Sequence, residues 1–174
     1  MEILKTIREI DAYPGIESQE PKEWKQRQAA RAVTFDGDGK VALLHVSKLG
    51  FYKLPGGGVD EGETIEQALK RECLEEIGCN VEKYAELGRV VEYRNKFVIK
   101  QESFCYLAKV VGKKGNPNFM QDEIEDGFKV VWTELDKAIN LVAGGKPTSY
   151  DGPFIIIRDL AFLNKAKEIL SQAK

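Results

Sequence analysis

The sequence predicts one α+β domain, a mixed β-sheet with flanking helices, on three observations. Short apolar runs separated by turn residues recur between residues 29 and 132 and read as strands. One well-punctuated helical stretch, 64–77, interrupts them. An amphipathic stretch over 152–172 follows Tyr150-Asp151 and carries Ile156, Leu160, Leu163 and Leu170 along one side. With 174 residues, 43% apolar and 31% charged, the chain is large enough for one buried core and is read as a single domain over 1–174.

The elements follow in order. Residues 1–28 form a polar N-terminal extension with Tyr13-Pro14-Gly15 as a turn and one short strand over 4–10. Residues 29–35 and 40–46 read as two strands joined by Asp36-Gly37-Asp38-Gly39, a hairpin signal because these residues tolerate positive φ. A short extended piece, 51–54, runs into Pro55-Gly56-Gly57-Gly58, a stretch that excludes regular structure. The helix over 64–77 stops at Gly78, a fitting left-handed terminator. Residues 84–93, 98–111 and 128–132 are strand-rich, and 113–118 is a loop leading into the acidic run 122–126. Thr133 is placed to cap a helix over 134–142. The C-terminal helix either closes the core or forms a homodimer contact.

Charge and rare residues exclude several chemistries. Twenty-six Lys and Arg stand against 28 Asp and Glu, a net charge of −2, so no basic excess calls for nucleic acid or an anionic membrane as partner. A single histidine, His45, removes paired-histidine zinc sites. Cys73, Cys79 and Cys105 are odd in number, lack C-x-x-C spacing and sit among apolar neighbours, which fits buried thiols in a reducing compartment. The N-terminus has no continuous apolar stretch and no run of 18 apolar residues occurs, so a cytoplasmic location is expected.

The helix 64–77 carries the chemistry. At about 100° per residue, Ile65, Ala68 and Leu69 share a face, and the same stripe continues into Glu72, Glu75 and Glu76. Three converging carboxylates repel one another, and partial burial makes the repulsion worse. A hard divalent cation with oxygen ligands, Mg²⁺ or Mn²⁺, offsets that charge. Seven carboxylates against Lys70 and Arg71 between residues 60 and 76 concentrate acidity here. The three glycines after Pro55 let backbone approach a phosphate or cation and can offer a carbonyl as ligand.

These residues resemble a known family. Gly57, Glu63 six positions on, and then Arg71-Glu72-Cys73-Leu74-Glu75-Glu76-Ile77-Gly78-Cys79 match the Nudix box, Gly-x5-Glu-x7-Arg-Glu-U-x-Glu-Glu-x-Gly-U with U apolar, at every fixed position. Cysteines stand at both U positions. With Leu54-Pro55-Gly56 before the box and 131–138 after it, the resemblance spans roughly 29–142. It implies the Nudix fold, an α/β/α sandwich with a mixed sheet between helices. It also implies divalent-metal-dependent hydrolysis of a nucleoside diphosphate linked to another moiety.

By position, the resemblance implies Glu72, Glu75, Glu76 and the Gly56 carbonyl as metal ligands. It implies Glu72, Glu76, Glu123 and Arg71 as the catalytic set; Glu63 and Arg71 also orient loop and helix, while Gly57 and Gly78 support the box. A further acid outside the box acts as ligand or general base, and Glu123 is preferred over Glu125 and Glu102. Glu123 and Glu125 are separated by one residue, and at most one of them is expected to point inward if the segment is extended. Lys53, Arg31 and Arg94 are candidates for substrate phosphates, and Tyr52, Phe51, Phe119 and Trp132 for a base. Core packing is the simpler role for Trp132, and a structural role for His45. The family's NADH and coenzyme A signatures are absent, and the absence of proline between the box and Pro117 weakens an ADP-ribose type. The expected substrate is a small nucleotide. Against hydrolysis stand two other readings of the same fold, a non-hydrolytic nucleotide-binding or sensing module and an isomerase of diphosphate substrates.

Overall fold

The computed structural model describes residues 1–17 and 19–172. Its elements are β1 (Ile3–Ile7), α1 (Glu9–Ala12), β2 (Lys25–Phe35), β3 (Val41–Val46), β4 (Phe51–Lys53), α2 (Ile65–Ile77), β5 (Asn80–Arg94), β6 (Ile99–Val111), α3 (Gln121–Glu125), β7 (Phe128–Thr133), α4 (Leu135–Ala143) and α5 (Gly152–Gln172). The sheet is mixed: β1 lies parallel to β5, β5 antiparallel to β6, and β6 parallel to β2. β2 meets β3 at Phe35 and Val41, and β3 runs antiparallel between β4 and β7.

Strand alternation puts an apolar surface on both faces of the sheet. Ala30, Ala32, Ala42 and Leu44 bury Ala68, Leu69, Cys73 and Ile77 of α2 on one face. Val33, Val41 and Leu43 take Ala138 and Val142 of α4 and Phe154, Phe162, Leu163 and Ala166 of α5 on the other. The product is an α/β/α sandwich, and α5 closes the second core. The three cysteines are free and buried. Among the described residues no helix is long and apolar enough to cross a membrane.

Several boundaries differ from the sequence reading. The N-terminal extension is no appendage: β1 adds an edge strand, α1 follows it, and β2 begins at Lys25. Tyr13 stacks on Tyr150 at 5.6 Å, and the Tyr150 hydroxyl donates to Glu9 at 2.7 Å, tying this segment to the start of α5. The acidic run is helical at α3 rather than a loop. Thr133 ends β7, and Glu134 occupies the cap position of α4 without a side-chain cap bond. The Pro55–Gly58 stretch is not free of pairing. Ala32 N–H donates to Pro55 O and Ala30 N–H to Gly57 O, at 3.1 and 3.0 Å, so the loop docks along β2.

A buried polar network ties α5 to that loop. Asp159, fully buried, accepts the Leu54 N–H at 2.8 Å and Arg158 Nε at 2.7 Å. Arg158 reaches Glu92 at 3.7 Å, and Glu92 also accepts from Arg94, Gln101 and Ser103. Burial works against the Glu92 charge, yet Arg158 and Arg94 hold its carboxyl below the usual range. Removing one member leaves a buried charge without its partner. Asp159→Ala is expected to lower unfolding free energy by about 3–5 kcal/mol in urea titrations, against less than about 0.5 kcal/mol for Glu168→Ala on the exposed side of α5.

Candidate active site

Helix α2 is fixed at both ends by its own sequence. Thr64 Oγ1 accepts the Gln67 N–H at 3.2 Å while Gln67 Oε1 accepts the Thr64 N–H at 2.8 Å, a reciprocal capping pair. At the other end Gly78 takes φ +64°, a conformation costly for any residue with a Cβ. Between these limits the buried stripe passes from Ala68 and Leu69 to Glu76, which is 2% exposed.

The carboxylates of the second half of α2 are each engaged. Glu76 Oε1 accepts the Lys53 ammonium at 2.7 Å, and Oε2 accepts the Gly56 N–H at 2.6 Å. Arg71 Nη1 donates to Glu72 at 2.7 Å and to Glu75 at 3.2 Å. Its Nε and Nη2 bond both oxygens of Glu63 at 3.0 and 2.9 Å, and Nη2 also reaches Gly58 O at 2.9 Å. Arg71 therefore clamps helix to loop, and the Glu63 bonds raise its guanidinium above the ordinary arginine range. Burial pushes the Glu72 carboxyl up against the pull of Arg71, and the neighbouring Glu76 charge adds to the rise.

These groups line one cavity of about 260 Å³ together with Arg27, Arg31, Gly56, Gly57, Gly58, Met120 and Glu123. Its charged side chains are four carboxylates (Glu72, Glu75, Glu76, Glu123) and four cations (Arg27, Arg31, Lys53, Arg71). At Gly57 an added Cβ would lie 2.2 Å from Glu72 Oε1, so a side chain there displaces the Glu72 carboxylate. At Gly56, φ +130° and a clash with Ala30 O at 2.1 Å exclude a side chain.

The remaining candidates separate. Glu123 lines the cavity, and burial, reinforced by Glu76, raises its carboxyl. Because α3 is helical, strand parity does not relate Glu123 to Glu125, and Glu125 accepts from Gln121 instead. Glu102 pairs with Arg89 at 2.8 Å and borders a neighbouring cavity with Gln28 and Glu63. Arg31 is 6% exposed, bonds only the Ala30 carbonyl, and leaves its Nε unpartnered among the described residues. Burial, with the nearby Arg158 charge, brings it down to about 10. Tyr52 does not reach the cavity. It pairs across β3–β4 with His45, ring on ring at 4.4 Å, because strand pairing turns it onto that neighbour. Arg94 belongs to the buried Glu92 network, and Trp132 packs on the α2 core with Lys114 over its ring.

Sequence reasoning missed Arg27 and Asp159. Arg27 lies four residues before Arg31 on β2, which puts both on the same strand face. The signal was hidden by starting that strand at residue 29. Nothing in the α5 pattern marks Asp159, whose partner Leu54 is 105 positions away.

The donor set fits a hard divalent cation in kind, since oxygen atoms of four carboxylates face one cavity whose glycine wall leaves room beside Glu72. Among the described residues no three acidic, thiol or imidazole groups are grouped closely enough to grip one ion, and Lys53 and Arg71 hold oxygens of Glu76 and Glu72.

The protein is thus an α/β/α sandwich with a glycine loop and a carboxylate-bearing helix over one charged cavity. The chain matches the NUDIX domain family over residues 25–151 and belongs to the Nudix family. It is 31% identical over 135 residues to an RNA pyrophosphohydrolase of Wolbachia sp. subsp. Brugia malayi (strain TRS), covering 71% of this chain and 82% of that one. It is 36% identical over 77 residues to a putative 8-oxo-dGTP diphosphatase of Bacillus subtilis (strain 168), covering 44% and 50%. Some other matches span as little as 18% or 62% of the relative's length. Among solved structures, the MutT protein from Methanosarcina mazei Go1 superposes with a TM-score of 0.59 at 20% identity, over 86% of this chain and 99% of that one, and shares the fold.

The Glu63–Arg71 pair sets a pH dependence. The Arg71 hydrogen bond lowers the Glu63 carboxyl below its usual range, so the folded protein binds this proton less readily than the unfolded chain. The stabilisation is present above about pH 4.5 and is lost as pH falls through the folded value. In denaturant titrations between pH 6 and pH 3, Glu63→Gln is expected to be less stable than wild type at pH 6 and to show a shallower decline toward pH 3.

Proposed function

We propose that this protein hydrolyses the diphosphate linkage of a nucleoside diphosphate joined to another moiety, with a divalent cation, Mg²⁺ or Mn²⁺, as cofactor. The observation that carries the reading is the single cavity that collects Glu72, Glu75, Glu76 and Glu123 beside the glycine loop and four basic side chains. Two relatives support it, since both are named for cleaving a diphosphate linkage.

In this reading Glu72, Glu75, Glu76 and the Gly56 carbonyl hold the cation. When bound, the cation neutralises charge on phosphate oxygens and makes a bound water more acidic. Glu123 is the general base: burial raises its carboxyl, which strengthens it as a proton acceptor. Arg31 and Lys53 bind phosphate oxygens, Arg31 through a buried guanidinium that has no carboxylate partner. Arg71 acts on the reaction by holding Glu72 and Glu75 against the loop, with Glu63 fixing it in turn. Gly57 and Gly78 shape the loop and the end of the helix.

The test is phosphate or pyrophosphate release from a nucleotide panel in Mg²⁺, comparing wild type with Glu76→Gln. A drop in kcat of about 100-fold or more is expected, with an unchanged circular dichroism spectrum. Equal activity in the two proteins overturns the assigned role of Glu76. Tight nucleotide binding without turnover in any divalent ion supports the sensing module instead.

A further inference from the structure

Lys53 lies at the end of β4, directly before the glycine loop, and its ammonium sits on Glu76. Both groups are largely withdrawn from water, with side chains 14% and 3% exposed. The Phe128 ring, 5.1 Å from Nζ, borders the ammonium on another side. Gly56 N–H occupies the second Glu76 oxygen, so both oxygens of the most buried box carboxylate are held by the protein's own donors.

Two consequences follow from elementary electrostatics. An ammonium and a divalent cation on the same carboxylate oxygen would stand a few ångströms apart and repel, so they compete for it. The cavity's four carboxylates are matched by four basic side chains, so a lone cation meets little net attraction. A diphosphate brings anionic oxygens of its own, and an ammonium that has left Glu76 then has a new partner.

We propose that Lys53 is a built-in counter-ion of Glu76 that couples cation binding to diphosphate binding: it holds the Glu76 oxygen against a lone cation and pairs with the substrate diphosphate once displaced. The identity of the ligands rests on the hydrolase reading above, whereas the competition rests on the Lys53–Glu76 pair alone. The coupling is reciprocal, since whatever draws Lys53 off Glu76 favours a cation there, and a cation there frees Lys53 for an anion.

The experiment measures Mn²⁺ binding by electron paramagnetic resonance, and pyrophosphate binding by calorimetry in saturating Mn²⁺, for wild type, Lys53→Met and Lys53→Arg. Lys53→Met is expected to bind Mn²⁺ alone about tenfold more tightly than wild type, equivalent to about 1.4 kcal/mol, and pyrophosphate about tenfold more weakly. Lys53→Arg, which keeps the charge, is expected to restore wild-type behaviour in both. Mn²⁺ affinity that is unchanged or weaker in Lys53→Met overturns the proposal, as does unchanged pyrophosphate affinity. If Lys53→Met unfolds, Lys53→Gln replaces it. A neutral variant that stays unfolded in saturating Mn²⁺ also overturns the proposal, because Mn²⁺ is then unable to take over the role of Lys53 at Glu76. Neither measurement depends on turnover, so a protein that passes here and cleaves no nucleotide loses only the hydrolase reading.

Discussion

The loop between β4 and α2 is held by two buried carboxylates. Asp159 accepts the Leu54 N–H and Glu76 accepts the Gly56 N–H, at 2.8 and 2.6 Å. Pro55 between them has no N–H to satisfy, so every backbone donor across these three residues is accounted for. One carboxylate comes from α5 and the other from α2, helices that pack on opposite faces of the sheet. The third anchor is β2, which donates Ala30 and Ala32 N–H groups to the Gly57 and Pro55 carbonyls. A loop rich in glycine has high conformational entropy to lose, and these fixed bonds are what oppose that loss.

This arrangement explains what was legible in the sequence. The α2 segment declared itself because every local signal agreed: Thr64 and Gln67 at one end, Gly78 at the other, and an unbroken stripe between. The loop's need for glycine was also readable, although its docking onto β2 was not, since pairing depends on a strand more than 20 positions away. The N-terminal strand was legible in place, read over 4–10 and found at Ile3–Ile7, while its parallel pairing with the distant β5 was not, because pairing of an edge strand leaves no local signal. α3 was missed because five residues are too few to display a helical period.

The site was legible where it is local and obscure where it is not. Glu72, Glu75 and Glu76 lie on one helix face, and their convergence follows from 3.6 residues per turn. Glu123 was reached by resemblance and by its acidity, and its placement beside Glu76 is a tertiary fact. Tyr52 shows the opposite failure. An aromatic residue next to a candidate phosphate contact looks like a base platform, but strands alternate, so Lys53 and Tyr52 face opposite sides and Tyr52 is spent on His45. Arg31 was a phosphate candidate by its charge alone, and its burial is a tertiary fact, because β2 lies in the middle of the sheet between β6 and the docked loop.

The match to the family ends at residue 151, yet α5 supplies Asp159 and, with Phe154, Phe162, Leu163 and Ala166, one wall of the second core. The helix that lies outside the matched segment is thus part of what shapes the loop inside it. Arg158 beside Asp159 is 1% exposed and needs a counter-charge, and Glu92 shares that task from β5. The same carboxylate that balances a buried guanidinium also fixes the backbone next to the box. Loop geometry and core electrostatics therefore meet at one residue, so a substitution there loosens both together. The cavity repeats this economy, with Lys53 balancing Glu76 and Arg71 balancing Glu72 and Glu75. Taking away either basic side chain leaves carboxylates without their partner, the costly direction for a buried pair.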